Sequence, residues 1–489
     1  MKSGLLPKMM QAALSLLLLL LCHLSWADVS MPSLFANNMV LQQKADAKLW
    51  GWADPGEKIK ITVDWDKRPV KVVADAEGKW LATVRTATAG GPYKIQVKGN
   101  NTIELEDVLL GEVWLASGQS NMNFNVAKGQ SWHTGVENYE QEVAQANYPT
   151  IRMFTVEQKS AAEPQKDVNG EWVSASPETV GGFSAVAYFF AREIQKEKKV
   201  PVGIIHSSWG GTPAEAWTKK EVLAADPIYQ PILNRFQEKL AANPESASSP
   251  RNNQAPSRLY NAMIAPLVPY TIKGVLWYQG ESNADRAYQY RRLFPAMIES
   301  WRKDWKVKQL PFYFVQIAPH RSQHPEIREA QLMTYRTVPN TGMVVTTDAG
   351  DSLDIHPRNK QVVGERLARW ALARHYGKKE LVPSGPLYKS MKVQKDKIRI
   401  SFDFAESGLE AKGGDLKGFT IAGPDQQFVP AQARIEGNEV IVWSDQVKKP
   451  VAVRYGWSHV PRVNLYNKAG LPASPFRTDI WKGETEGKY

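Results

Sequence analysis

Cysteine is almost missing: Cys22 is the only one in 489 residues. It stands in an apolar stretch near the N-terminus. A mature chain starting beyond it has no disulfide, no thiol nucleophile and no thiolate metal site. Long apolar runs are equally scarce. Only residues 12–22 make one, which excludes a multi-spanning membrane protein. The net charge is +11, yet no run of five or six Lys or Arg occurs, so a nucleic-acid footprint is not indicated. There is no internal repeat. With 43% hydrophobic and 23% charged residues, the chain is neither mostly disordered, nor a coiled coil, nor collagen-like. Metal-ligand patterns are absent too. Asp348, Asp351 and Asp354 lack the D-x-D-x-D-G spacing of a calcium loop, and His320 and His324 are flanked by Pro319 and Pro325, which breaks a metal-binding helix.

The first 27 residues carry Lys2 and Lys8, then Leu16 to Leu21, then Ser25-Trp26-Ala27. A positive start, a short apolar core and a small-x-small end predict a secretory signal peptide cleaved after Ala27. The expected location is periplasmic or extracellular, with no membrane span in the mature chain. Losing Lys2 and Lys8 lowers the charge by two, to +9.

Three textures follow. Residues 28–107 show period-two alternation, as in Lys58-Ile59-Lys60-Ile61-Thr62-Val63, with turns such as Asp54-Pro55-Gly56. They predict an N-terminal β-sandwich domain. Residues 108–380 alternate short apolar strands with helical patterns. Strands are expected at 113–116, 202–205, 275–278, 312–315 and 343–346, and helices at about 184–197, 286–302, 326–337 and 359–376. The pattern predicts an α/β unit: a mainly parallel sheet flanked by helices on both faces, with its site at the C-terminal strand ends. Residues 381–489 return to β texture, and 240–256 reads as a long loop.

Three strand ends carry chemistry. Gly118-Gln119-Ser120-Asn121-Met122 presents a serine in a tight turn, where its hydroxyl and its own N–H share one pocket. The spacing is not the G-x-S-x-G elbow. Ser208-Trp209-Gly210-Gly211-Thr212 can aim a backbone N–H at a ligand. Trp277-Tyr278-Gln279-Gly280-Glu281-Ser282-Asn283 gathers amide, carboxylate and aromatic groups. A base is found in Asp354-Ile355-His356-Pro357, just past the last central strand, with a carboxylate at hand to orient the imidazole.

In this order the motifs resemble the sialate O-acetylesterases, carbohydrate esterases of the SGNH-hydrolase type. The likeness spans about 108–376. It implies an SGNH-like fold, a serine esterase acting on O-acetylated carbohydrate, and no cofactor or metal. It implies Ser120 as nucleophile and His356 as general base. Gly211 N–H and the Gln279 side chain would join Ser120 N–H as oxyanion donors, with Gln119, Glu281 and Asn283 beside the substrate. The resemblance departs at the acid: SGNH enzymes often place Asp three residues before the His, and here that position is Leu353. Asp354, Glu281 or a backbone carbonyl is left to orient His356. The substrate is a sialic acid ester or an acetylated xylan or xyloglucan, since substrate choice lies in loops. A non-catalytic glycan-binding protein on the same scaffold is the reading from another class. Trp114, Trp209, Trp217 and Trp277 lie in or beside the motifs as candidate sugar platforms.

Overall fold

The computed structural model describes residues 28–129, 132–247, 249 and 252–489. The leader and Cys22 lie outside the described residues. Among these, no helix is long and apolar enough to cross a membrane.

The N-terminal region is a sandwich of two antiparallel layers. β2 (Asp46–Trp52) pairs with β5 (Lys79–Arg85), while β3 (Lys58–Val63) lies between β4 (Asp66–Val73) and β6 (Gly90–Lys98). Alternation decides what they bury. In β3 Ile59 and Ile61 point inward, and in β5 Trp80, Ala82 and Val84 do. The side chains meet in one core with Leu49, Ile95 and Val97.

β7 (Thr102–Gly118) is a single strand of 17 residues and belongs to two layers. Its first part pairs antiparallel with β6, and β1 (Val40–Gln42) lies parallel to it at Leu109–Gly111. From Val108 onward every residue is buried. There β10 (Val202–Ser208) and β11 (Gly274–Tyr278) flank it in parallel. The change from alternating to continuous burial marks the passage from a half-solvated antiparallel ribbon to a sheet covered on both faces. The sandwich and the α/β unit are thus joined by a strand, not a linker.

The central sheet continues with β8 (Tyr148–Thr155), β9 (Trp172–Ala175), β12 (Phe312–Val315) and β13 (Thr341–Val344), in the order β13-β12-β11-β7-β10-β8-β9. All pairs are parallel except β8 with β9. The helices that position the site or cover the sheet are α1 (Ser120–Asn123), α2 (Ala185–Lys198), α3 (Ala287–Trp305), α4 (Pro325–Thr337) and α5 (Lys360–His375). Strand alternation sorts them. Trp114 and Tyr313 stack on one face, against Phe190 of α2 and Trp370 of α5. Trp277 and Phe312 point to the other, against Phe294 and Trp301 of α3. Each such ring contributes about 1.5–3 kcal/mol by leaving water. The expected parallel sheet with helices on both faces is therefore present. The stretch expected as loop at 240–256 begins inside a helix, Gln230–Ala242, which buries Ile232.

The C-terminal region holds two four-stranded antiparallel sheets, one around Lys397–Asp403 and one around Phe419–Ala422. It docks on the α/β unit. Gln316 Nε2 donates to Ser474 Oγ at 2.9 Å, Arg477 pairs with Glu329 at 2.7 Å, and the Glu326 carboxylate accepts the N–H groups of Glu484 and Thr485.

Candidate active site

β7, β10 and β11 end together, and their ends are stitched by backbone bonds. Gln119 N–H donates to Tyr278 O at 2.9 Å, and Trp209 N–H donates to Gly118 O at 3.1 Å. Gly118 makes the turn possible: its φ is +139°, and a Cβ there would stand 2.2 Å from Tyr278 O. The chain then enters α1 at Ser120. As the first residue of that helix, Ser120 has an N–H with no intrahelical acceptor.

His356 lies on the loop between β13 and α5. Its Nε2 is 2.9 Å from Ser120 Oγ, so residues 236 positions apart form a hydrogen-bonded Ser–His pair, the geometry that a nucleophile and its base require. Asp354 Oδ1 is 3.7 Å from His356 Nδ1, beyond hydrogen-bond length, and it accepts the His356 backbone N–H at 2.8 Å. Leu353, three residues before the histidine, is 73% exposed.

A cleft of about 540 Å³ opens over the pair. Gln119, Glu281, Gly210 and Gly211 line it, with Trp132, His133, Trp209 and Gln323 around them. Gly211 keeps its carbonyl on Gln254 Nε2 at 3.2 Å, and its N–H has no protein acceptor among the described residues. Gln119 anchors its carboxamide oxygen on Ser282 N–H at 3.3 Å and Gly280 N–H at 3.5 Å. Among the described residues its Nε2 donates to nothing.

Two residues expected beside the substrate are elsewhere. Gln279 is fully buried. Its Nε2 donates to Asn283 Oδ1 at 2.6 Å and Thr212 O at 3.3 Å, and its Oε1 accepts from Tyr290 OH at 3.0 Å. The reason is alternation: Gln279 follows Trp277 by two positions and shares its face, toward α3. Asn283 is buried as well. It accepts Ala214 N–H at 2.9 Å and donates to Glu215 Oε2 at 2.9 Å, bracing the 212–215 turn. These amides hold the Gly211 loop from behind instead of facing the cleft. Glu281 does line the cleft, but its partner is Asn121 Nδ2 at 2.7 Å; no hydrogen bond joins it to His356.

The tryptophans also sort themselves. Trp114, Trp217 and Trp277 are fully buried core residues, whereas Trp209 is half-buried in the cleft wall. Trp132 was not singled out in the sequence. Its ring stacks on His133 at 3.8 Å and faces the His356 ring at 4.6 Å. A Trp-His pair in a polar loop was the available signal.

Electrostatics favour a neutral base. Burial, then the charge of Lys360, push His356 down to about 4, against the opposing pull of Asp354. Lys360 itself is pushed down to about 7 by burial, countered by Glu281 and Asp354. Burial raises Glu281, countered by a backbone hydrogen bond, Asn121 and Lys360. A neutral imidazole, a serine hydroxyl and free N–H donors in one cleft can perform acyl transfer.

The profile of the carbohydrate esterase family of sialic acid-specific acetylesterases matches residues 110–373. The sialate O-acetylesterase of Rattus norvegicus is 31% identical over 514 residues, covering 91% of this chain and 93% of that protein. The human sialate O-acetylesterase is 31% identical over 513 residues, covering 92% and 94%. A crystal structure of a carbohydrate acetylesterase from Xanthomonas citri superposes with a TM-score of 0.83 at 40% identity, covering 93% of this chain and all of that one. Fold, site and relatives agree: the chain is a carboxylic ester hydrolase and belongs to the family of sialic acid-specific acetylesterases.

Proposed function

We propose that the protein is an exported serine esterase that removes O-acetyl groups from sugars through an acetyl-enzyme on Ser120. The observation that carries this reading is the 2.9 Å contact between Ser120 Oγ and His356 Nε2 at the floor of the cleft. His356 takes the hydroxyl proton as Oγ attacks the acetyl carbonyl. Ser120 N–H and Gly211 N–H receive the oxyanion, with Gln119 Nε2 in the place first given to Gln279. The tetrahedral intermediate collapses, the C–O bond to the sugar breaks, and His356 returns the proton to the leaving alcohol. Water then attacks the acetyl-Ser120 ester with His356 again as base, which releases acetate and restores the serine. Residues 1–27 are the proposed export signal.

The named activity of the mammalian relatives supports a sialic acid ester as substrate. One observation favours a second reading, a neutral acetylated polysaccharide. Among the described residues lining the cleft none is Arg or Lys, the side chains that most often hold a sugar carboxylate.

The test is acetate release by residues 28–489 and by Ser120→Ala, on O-acetylated sialic acid and acetylated xylan side by side. Release lost in the variant supports the acyl-enzyme, and the preferred substrate decides between the two readings. Equal release by both proteins would remove Ser120 from the mechanism.

A further inference from the structure

The carbonyl groups on both sides of the catalytic histidine are held by one buried pair. Asn121, the residue after the nucleophile, donates from Nδ2 to Ile355 O at 3.0 Å. Lys360 donates from Nζ to Pro357 O at 2.6 Å and to Asn121 Oδ1 at 2.6 Å. Ile355 and Pro357 bracket His356 in the chain. We infer that Lys360, together with Asn121, is a positioning residue that fixes the His356 ring over Ser120 by gripping the backbone on either side of it. The inference rests on the proposed Ser120–His356 chemistry and extends it to residues that touch neither substrate nor the reacting atoms.

The placement of Lys360 is costly without such a role. Its side chain is 0% exposed, whereas lysines are almost never fully buried. It is the first residue of α5, where the helix dipole also opposes a positive charge. A lysine serving solubility would point outward here. This one is enclosed by the rings of Phe124, 4.7 Å away, and Tyr278, 5.7 Å away, with its charge offset through Asn121 by the Glu281 carboxylate. The tie also runs back to the nucleophile, because Asn121 shares α1 with Ser120. A shift of α1 and a shift of the histidine loop are therefore not independent.

The ring has few other constraints. Asp354 lies too far from Nδ1 for a hydrogen bond, and Trp132 covers one face. With little holding the imidazole directly, its aim at Oγ depends on the backbone that carries it. The charged and titratable groups that act on His356 are Lys360 on α5, Asp354 on its own loop, and His133 and His320 on neighbouring loops. Glu281 and Asp354 act on Lys360.

The experiment compares the wild type, Lys360→Met, Asn121→Ala and the double variant on 4-nitrophenyl acetate between about pH 3 and 8, with Ser120→Ala as the blank. Methionine keeps most of the shape of the lysine stem and removes the donor and the charge. Each single variant is expected to lose about 10- to 100-fold in kcat with KM held within about threefold, the signature of a misaimed base. The double variant is expected to be no worse than the poorer single one, since both act on the same loop. In Lys360→Met the acid limb of kcat/KM moves to higher pH, because a positive charge near His356 is gone; in Asn121→Ala it moves less. A purely structural lysine would lower the melting temperature and leave kcat and KM at their wild-type values, and that result overturns the inference; the acid limb follows the lost charge and moves in either case. If Lys360→Met does not fold, Asn121→Ala decides by its kcat–KM split. A wild type no faster than the Ser120→Ala blank would instead refute the proposed esterase chemistry, whereas an active wild type with an equally active Lys360→Met refutes the clamp alone.

Discussion

Asp354 serves the His356 backbone more closely than the His356 ring: its Oδ1 is 2.8 Å from the backbone nitrogen and 3.7 Å from Nδ1. Its side chain is 42% exposed, so water screens what remains of the attraction. An acid that sits two residues before the histidine shares its loop and reaches the amide before the ring. Asp354→Ala is therefore expected to lower kcat by about tenfold, against three orders of magnitude or more for His356→Ala. Steady-state kinetics on 4-nitrophenyl acetate checks it. A loss in Asp354→Ala as large as that in His356→Ala would mean that the carboxylate closes onto Nδ1 when substrate binds.

The second prediction concerns pH. In the proposed mechanism only neutral imidazole can take the Ser120 proton. His356 is pushed down from 6.5 to about 4, so the neutral form dominates through the weakly acidic range. The sign follows: kcat/KM is lost as pH falls through about 4 and is level from about 5 to neutrality. A pH profile on a substrate that does not itself titrate measures this, with folding checked by circular dichroism at each point. An acid limb near 6.5 would show that burial and the Lys360 charge do not act on the base in solution.

The serine, the histidine and the Gly211 loop were legible in the sequence because each follows a short apolar strand, and parallel strands bring their C-terminal ends together. The four principal helices were legible from periodicity and five of the seven central strands from short apolar runs, whereas β8 and β9 were not expected. Other features were not, for three physical reasons. Gln279 looked like a donor because composition does not say which side of the strand end a residue takes; alternation after Trp277 turned it inward. Lys360 carries no local signal of its place, because nothing in the neighbouring sequence reports that a helix N-terminus is buried against Phe124 and Tyr278. β7 was divided at 107/108 where the burial pattern changes, although the backbone runs on unbroken to Gly118.

Trp132 provides the last prediction, because its ring faces two ways. One side meets His356 at 4.6 Å and His133 stacks on it at 3.8 Å, while the indole also lines the cleft. A ring in that place can brace the imidazole and can offer an apolar surface to a sugar, and the two roles leave different kinetic traces. Bracing acts on every ester alike, so its loss lowers kcat on ethyl acetate and on acetylated sugars by the same factor. A platform acts only on substrates that carry a sugar, so its loss raises KM for those alone. Trp132→Ala is expected to do both, with KM on acetylated sugar rising about tenfold, the worth of one aromatic contact of roughly 1.4 kcal/mol. Trp132→Phe keeps a flat ring and is expected to recover most of the sugar KM. If Trp132→Ala leaves the sugar KM unchanged while kcat falls equally on both substrates, the ring only braces His356, and half-buried Trp209 becomes the remaining aromatic wall against which the sugar is held.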